Sequence, residues 1–242
     1  MCALTRFWLR LRGRWRALGA GNIPFYLLHR ALAPWQPRLA FQRYFFVAQP
    51  VTPGHPPLAA TANITVRPLA SQDWRGEHWT APIHRDTAEI ARRRSLGCDC
   101  LEAFRGDQLV GWLWLCYTPY RESEDRCSAI PETPAWAFDL DVYIVPSARL
   151  SKALIALWRA ANNHLAARHI PWTYSRISAF NPGSLAAHRR LGARVVARAC
   201  FLRLGRWQLV TASVKPYFHM TGSPLYYPQL WLHPPRHPGG RP

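Results

Sequence analysis

The sequence predicts an α/β (α+β) fold in which a mixed, mostly antiparallel central sheet is flanked by helices. The prediction rests on residues 135–192, whose pattern reads as strand, helix, strand and helix. Trp136 to Val145 alternates with period two, as in a strand with one buried face. Apolar side chains then repeat at helical spacing over residues 150–165, so a helix capped by Ser147 should pack back onto the sheet.

A second strand, from about Thr173 to Phe180, leads into a short helix whose two ends are marked by specific residues. Asn181 suits the N-cap and Pro182 suits the first helical position. Gly192 suits the position at which the helix stops. The stretch therefore predicts a strand–helix–strand unit followed by a capped helix.

The residues of this capped helix resemble a motif of the GNAT superfamily of acyl-CoA-dependent N-acyltransferases. The motif has the form N-x-x-S/A-x-x-x-Y-x-x-x-G-F. Its spacing is intact here, with the tyrosine and phenylalanine replaced, and it reads Asn181, Ser184, His188 and Gly192-Ala193. The resemblance covers Asn63 to about Val214, which fits one such domain. It implies that acyl-CoA, most simply acetyl-CoA, is the co-substrate.

The resemblance also implies that the loop before the first helix binds the coenzyme pyrophosphate. The family has glycine or small residues there, whereas this chain has Leu150, Lys152 and Leu154 after Arg149. Arg149, Ser151 and Lys152 would then bind the pyrophosphate through side chains at a helix N-terminus. The alternative is that Leu150 and Leu154 occlude the pocket and the domain no longer binds acyl-CoA.

The end of the first strand has an implied role as well. In the resembling family the backbone here, at Val142, Tyr143, Ile144 and Val145, pairs with the pantetheine arm and supplies the oxyanion donor. Asn181 and Ser184 occupy positions that contact the coenzyme in the family. For Asn181 the N-cap role is the better explanation, because it already accounts for the residue.

N-acylation from a thioester needs a base for the amine, a donor for the developing oxyanion and an acid for the leaving thiolate. Asp139 and Asp141 lie two apart on the strand, so they are expected to project from one side and to raise each other's proton affinity. They are candidates for the base or for acceptor binding, or else they pair with arginines. His188 replaces the family's tyrosine and is a candidate acid, because a neutral-range imidazole gives up a proton more readily than a phenol.

The composition limits the function classes. The net charge is +18, carried mostly by arginine, which favours anionic partners such as a phosphate-rich coenzyme, nucleic acid or acidic lipid. Six cysteines without a regular spacing favour a reducing cytoplasm over a disulfide framework. Cys98 and Cys100 are close enough to share a metal, but no second pair stands at zinc spacing, so we predict no metal. No apolar run approaches the ~20 residues that cross a bilayer.

The predicted organisation has four parts. Residues 1–50 form a basic N-terminal extension, 51–62 a proline-rich linker, 63–214 a GNAT-like acyltransferase domain, and 215–242 a tail rich in proline and aromatic residues. Residues 1–20 predict a basic amphipathic helix, which either docks on the folded domain or a partner subunit, or lies peripherally on an anionic membrane at its inner face. Helical periodicity also predicts a short helix over Ile23 to Leu32.

The remaining elements follow from turn residues and periodicity. Strands 101–104 and 109–117 should form a hairpin, and strands 194–204 and 206–214 should turn at Gly205. A first domain strand is predicted over residues 63–69 and a short strand or packed tail over 43–47. A helix is predicted over 86–94, with a solvated basic run at 92–94. Tyr120 to Pro134 is predicted to be a loop at the acceptor site.

The leading functional hypothesis is therefore a GNAT-type N-acetyltransferase. It would transfer an acyl group from acyl-CoA to an amine of an unknown acceptor by direct attack in a ternary complex. The alternative is a catalytically inactive GNAT-fold binding or scaffold protein at an anionic membrane surface or in a protein assembly. A nucleic-acid binder is less favoured, because no reader motif is present.

Overall fold

A computed structural model of the chain describes residues 15–36, 38–54, 63–69, 87–119, 121–122, 125–149 and 152–235. The chain forms two compact units. The first consists of Met1–Gln49, Arg121–Thr133 and Arg176–Pro242, and the second of Pro50–Tyr120 and Pro134–Ser175. Most of the predicted N-terminal helix and of the linker lies outside the described residues, as do Leu150 and Ser151.

The structure contains both helices and strands within the described ranges. The helices are α1 (Ile23–Leu32), α2 (Thr87–Ser95), α3 (Ala153–Ala167) and α4 (Pro182–Arg190). The strands are β1 (Leu39–Pro50), β2 (Ile64–Pro68), β3 (Asp99–Arg105), β4 (Gln108–Cys116), β5 (Arg121–Glu122), β6 (Cys127–Pro131), β7 (Ala137–Ile144), β8 (Trp172–Ser178), β9 (Arg194–Leu204), β10 (Trp207–Ala212), β11 (Phe218–Thr221) and β12 (Gln229–Leu232). The main sheet of each unit is mostly antiparallel and is accompanied by helices, which confirms the predicted fold class.

The second unit contains strands in the order β8-β7-β4-β3-β2, with one helix on each face. Helix α2 covers the face that carries Trp114, because Ile90 of α2 belongs to the same buried cluster. Helix α3 covers the other face, since its His164 Nε2 lies 2.8 Å from Oδ2 of Asp99. Asp99 is directly opposite Leu115, and consecutive residues of a strand face opposite sides.

A β-bulge divides the two candidate aspartates between these faces. Asp139 lies opposite Leu115 and Asp141 opposite Trp114, so one extra residue, Leu140, is inserted in β7. Asp139 therefore faces α3 and Asp141 faces α2. The prediction that both project from one side is wrong, because it assumed an unbroken alternation along the strand.

Helix α3 begins later than the sequence predicted. Pro146–Ala148 forms a separate 3-10 turn, and Lys152 rather than Ser147 precedes the first residue of α3. Neither of these two N-termini has a side-chain cap. The predicted apolar stripe is confirmed from Leu157 onward, whereas Leu154 is only half-buried.

Short-range signals in the second unit are confirmed. The predicted hairpin is formed by β3 and β4, and Gly106 in its turn has a φ of +58°. Strand β2 lies within the predicted residues 63–69, and α2 covers nearly all of the predicted helix.

The first unit contains a sheet in the order β11-β10-β9-β1 and a smaller sheet in the order β12-β6-β5. Strand β1 is much longer than the predicted segment of residues 43–47, and it pairs with β9 from Leu39 to Ala48. Helix α1 has the predicted bounds, and its Phe25 ring stacks on Phe41 of β1 at 6.0 Å between centroids. The predicted turn of β9 and β10 is confirmed at Gly205, whose φ is +56°.

One prediction of irregular structure is wrong. The predicted loop from Tyr120 to Pro134 contains β5 and β6, and the predicted tail includes β11 and β12. Strands β6 and β12 pair in parallel, with Ser128 opposite Gln229. Because the partner strands are about a hundred residues apart, neither segment carries a local signal of the pairing.

Gly111 of β4 makes a close approach that excludes a side chain. A Cβ at this position would lie 2.6 Å from the carbonyl oxygen of Tyr143 and 2.6 Å from Cδ1 of Ile144. We expect Gly111→Ala to lower the free energy of unfolding by about 1–3 kcal/mol, because β7 must move. Urea unfolding checks this. Gly183→Ala is the control, since its Cβ would meet nothing closer than 3.7 Å; equal stability of the two variants would contradict the expectation.

Among the described residues no helix combines the length and the apolar character that a bilayer crossing needs.

Candidate active site

Strands β7 and β8 run parallel but are paired only at their beginnings. The described pairs are Ala137 with Thr173 and Phe138 with Tyr174, although β7 continues to Ile144. The opposite edge of β7 stays paired with β4 as far as Ile144. Beyond Phe138, the edge of β7 that faced β8 is therefore open to another partner in the part of the chain that the structure describes.

The orientation of the β7 backbone identifies which amides point to this open edge. The Val145 N–H donates to the Val110 carbonyl of β4, at 2.9 Å. Successive amides of a strand point to opposite edges, so the Tyr143 N–H also points to β4. The Val142 and Ile144 N–H groups point the other way. Of the four predicted backbone positions, these two present donors at the open edge.

Asp139 is the first residue of β7 beyond the last pair with β8. Its carboxylate accepts a hydrogen bond of 2.5 Å from the Ser175 hydroxyl, and both side chains are buried. Burial raises the pKa of Asp139 well above its usual value, and the Ser175 hydrogen bond opposes this only in part. A carboxyl with a raised pKa holds a proton more tightly than an ordinary carboxyl, as a group that accepts a proton during a reaction must.

Asp141 has a different environment. Its Oδ2 accepts hydrogen bonds from Arg93 Nη1 and Trp112 Nε1, each at 3.2 Å. Arg93 is buried and also donates to Glu89 at 2.8 Å, so it is not part of a solvated basic run as predicted. The arginine pairing that the sequence left open as an alternative is the one found for Asp141. This carboxylate ties α2 to the sheet.

The candidate pyrophosphate loop carries two exposed cations. Arg149 follows the 3-10 turn, and Lys152 occupies the N-cap position of α3. The first amides of a helix have no partner within the helix and favour anions. Leu150 and Ser151 are outside the described residues, so the side-chain binding predicted for Ser151 and the occlusion predicted for Leu150 stay predictions.

His188 lies on α4 in the first unit and is buried. Burial lowers its pKa to about 4, because a charged imidazolium loses its hydration there. The expectation of a neutral-range imidazole is therefore wrong, and the ring is uncharged at neutral pH. A neutral imidazole is a far weaker acid than the imidazolium that the predicted role requires.

The predicted ends of α4 are confirmed. The Asn181 Oδ1 accepts from the Ser184 backbone N–H at 3.1 Å, and Pro182 is the first helical residue. Gly192 has a φ of +86° and the Ala193 N–H donates to the His188 carbonyl, as at a glycine-terminated helix. The structure thus gives Asn181 and Ser184 a capping role.

The strand–helix–strand unit and the asparagine-capped helix that the sequence predicted are both present. Sequence analysis missed Ser175, because nothing in the sequence specifies which residue of β8 lies beside Asp139. Among the described residues, no group of three or more potential ligands is placed to hold a metal ion.

Comparison with known proteins gives similarity to solved structures only. No family model matches the chain, and no curated protein matches it. The chain is 14% identical to a Drosophila protein over 76% of this chain, at a TM-score of 0.46, and spans 58% of that protein's length. It is 15% identical to a Novosphingobium aromaticivorans protein described as a GNAT-family acetyltransferase. This match covers 68% of this chain and 66% of that one, at a TM-score of 0.48.

A third similar structure is the acetyltransferase AAC(6')-Iy, which was solved with a bisubstrate analogue of CoA. The identity is 18%, and the match covers 53% of this chain and 89% of that one at a TM-score of 0.42.

Proposed function

We propose that the protein is an N-acyltransferase that moves an acyl group, most simply acetyl, from acyl-CoA to an amine. The observation that carries this proposal is the buried carboxyl of Asp139, placed where the β7–β8 pairing ends and where β7 begins to present an open edge. Burying a carboxyl group lowers the stability of the folded protein, because its ionised form loses hydration. A role in proton transfer explains why the group is nevertheless buried here.

The backbone of β7 supplies the other groups that the reaction needs. The acyl carbonyl and the pantetheine arm lie along the open edge and accept from the Val142 and Ile144 N–H groups. Such fixed donors stabilise the oxyanion that forms when the amine attacks. This role depends on main-chain atoms, so it is compatible with any side chains at these two positions.

Proton transfer runs through a single carboxyl in this proposal. Ionised Asp139 takes a proton from the amine as its nitrogen bonds to the carbonyl carbon. The C–S bond then breaks, and the carboxylic acid formed on Asp139 returns the proton to the leaving thiolate. No imidazolium is needed, which agrees with the lowered pKa of His188.

The coenzyme phosphates bind at the start of α3 in this proposal. Arg149 and Lys152 are exposed there, at the N-terminus of a helix whose dipole favours anions. In a glycine-rich loop the phosphates would lie close to backbone N–H groups. Here the side chains of Arg149 and Lys152 bind them through charge instead.

Calorimetric titration with acetyl-CoA tests this binding role. We expect the double variant Arg149→Gln with Lys152→Gln to weaken binding by about tenfold or more, because two charge-assisted contacts are lost. Arg105→Gln with Lys215→Gln removes the same charges at exposed positions elsewhere and is the matched control. Equal weakening in both double variants would mean that only the overall charge attracts the coenzyme.

A further inference from the structure

The first unit contains a cavity of about 330 Å³, lined by β1, β9, α4 and the segment that precedes α1. Three arginines from different elements line it: Arg43 of β1, Arg189 of α4 and Arg198 of β9. None of the described residues that line it is an aspartate or a glutamate. Three positive charges around one cavity repel each other, and the repulsion is relieved when an anion is present.

Arg43, which lines this cavity, has an incomplete set of hydrogen bonds within the described residues. Its Nε and Nη1 are buried and have no hydrogen-bond partner among the described residues. Its guanidinium stacks on the Phe25 ring, with Cζ 3.8 Å from the ring centroid. Stacking stabilises the charge but satisfies none of the N–H groups. Buried donors that lack a partner within the described residues call for a further partner, such as an ordered water or an anion.

Arg189 and Arg198 complete the cavity from its exposed side. Both side chains belong to exposed residues, and neither forms an ion pair with a carboxylate in the described ranges. The Arg198 guanidinium lies 5.9 Å from the Phe45 ring centroid, above the same part of β1. These two arginines are therefore free to turn toward a ligand without breaking an existing pair.

We propose that this cavity binds a small ligand that carries a phosphate group. A phosphate has oxygens enough to accept from three guanidinium groups that approach from three elements, whereas a carboxylate is satisfied by one or two. The cavity is large enough for a phosphorylated metabolite, and Phe45 in its lining offers an apolar surface beside the anion. The proposal does not depend on acyl transfer.

Calorimetric titration of the full chain with inorganic phosphate at low ionic strength tests the proposal. Wild type should bind with saturation, and Arg189→Gln with Arg198→Gln should weaken binding by about tenfold or more. Arg190→Gln with Arg194→Gln removes the same charge from exposed residues on the same two elements, and should change affinity less than twofold. Arg149→Gln removes a charge from the proposed coenzyme loop, and the saturable binding that depends on Arg189 and Arg198 should persist in this variant.

Three results would overturn the proposal: no saturable heat with wild type, equal weakening in the two double variants, or loss of phosphate binding in Arg149→Gln alone. All of these substitutions are at exposed positions, so folding is preserved, whereas a change at Arg43 risks unfolding. Sedimentation with vesicles that contain phosphatidic acid identifies the source of the phosphate. If the ligand is a free phosphorylated molecule, no protein should sediment with the vesicles. Sedimentation that is lost on substitution of Arg189 and Arg198 would identify the ligand as a lipid headgroup instead.

Discussion

Replacing Asp139 by asparagine is expected to lower kcat for acetyl transfer by about a hundredfold or more, because the general base is removed. The affinity for acetyl-CoA should change less than twofold, since the proposed coenzyme contacts lie elsewhere on β7 and α3. Release of the CoA thiol, followed with the amine that supports the fastest reaction from a panel of primary amines, measures kcat.

Asp141→Asn is the matched control, because it is the same chemical change two residues along the same strand but on the opposite face. It breaks the ion pair with Arg93, so it should lower the free energy of unfolding. Its kcat should stay within about twofold of wild type. A loss of kcat in Asp141→Asn with full activity in Asp139→Asn would reverse the assignment.

The raised pKa of Asp139 also fixes the sign of the pH dependence. The base acts when ionised, so kcat should rise as pH increases through the raised pKa. The Ser175 hydrogen bond lowers that pKa, and Ser175→Ala should therefore move the rise to higher pH. A profile that is flat, or that moves to lower pH in Ser175→Ala, would be incompatible with Asp139 as the base.

Acidification is expected to destabilise the protein through His188. Its pKa falls from 6.5 in the unfolded chain to about 4 in the folded one, so the unfolded chain binds the proton first. Below about pH 6.5 this ring lowers the stability of the folded state, and its contribution to the loss between pH 7 and 5 should be about 2 kcal/mol, which the raised pKa of Asp139 opposes. Urea unfolding at these two pH values measures it.

His188→Gln keeps a polar side chain of similar size without a titrating ring. The variant should lose clearly less stability than wild type between pH 7 and 5. The pKa of Asp99 and of Glu89 is lowered, so these two carboxylates stay ionised across this interval. If wild type and His188→Gln lose the same stability, the ring is not held uncharged by burial.

The parts of the fold that the sequence predicted correctly depend on local physics. Asn181, Pro182 and Gly192 set the ends of α4 through capping, first-turn geometry and a positive φ, all within a few residues. Gly106 and Gly205 set two hairpin turns for the same reason. Each of these features depends on the backbone of the residue itself and needs no distant partner.

The parts that were wrong depend on partners far along the chain. The bulge at Leu140 arises from the register with β4, and it reverses the face of one aspartate. Strand β6 pairs with the two-residue strand β5 only at Cys127 and Ser128, whereas β12 pairs with it from Ser128 to Pro131, and the sequence between β6 and β12 gives no sign of this. Periodicity describes one strand at a time, so it fails wherever the partner sets the geometry.

In the candidate site, too, local features could be predicted from the sequence and features set by distant partners could not. The sequence identified Asp139 as a carboxyl on a central strand, but its burial and its Ser175 partner come from the parallel register of β7 and β8. Asp141 was equally prominent in the sequence, and its role was decided by Arg93, 48 residues away. Burial likewise determined the pKa of His188, which its position in a motif could not predict.

The central claim is that the open edge of β7 and the start of α3 bind acyl-CoA. Calorimetric titration of the wild-type protein with acetyl-CoA tests it most directly. The account predicts saturable heat at a ratio of one coenzyme to one chain, reduced in Arg149→Gln with Lys152→Gln and retained in Asp139→Asn. No saturable heat at millimolar acetyl-CoA would contradict it.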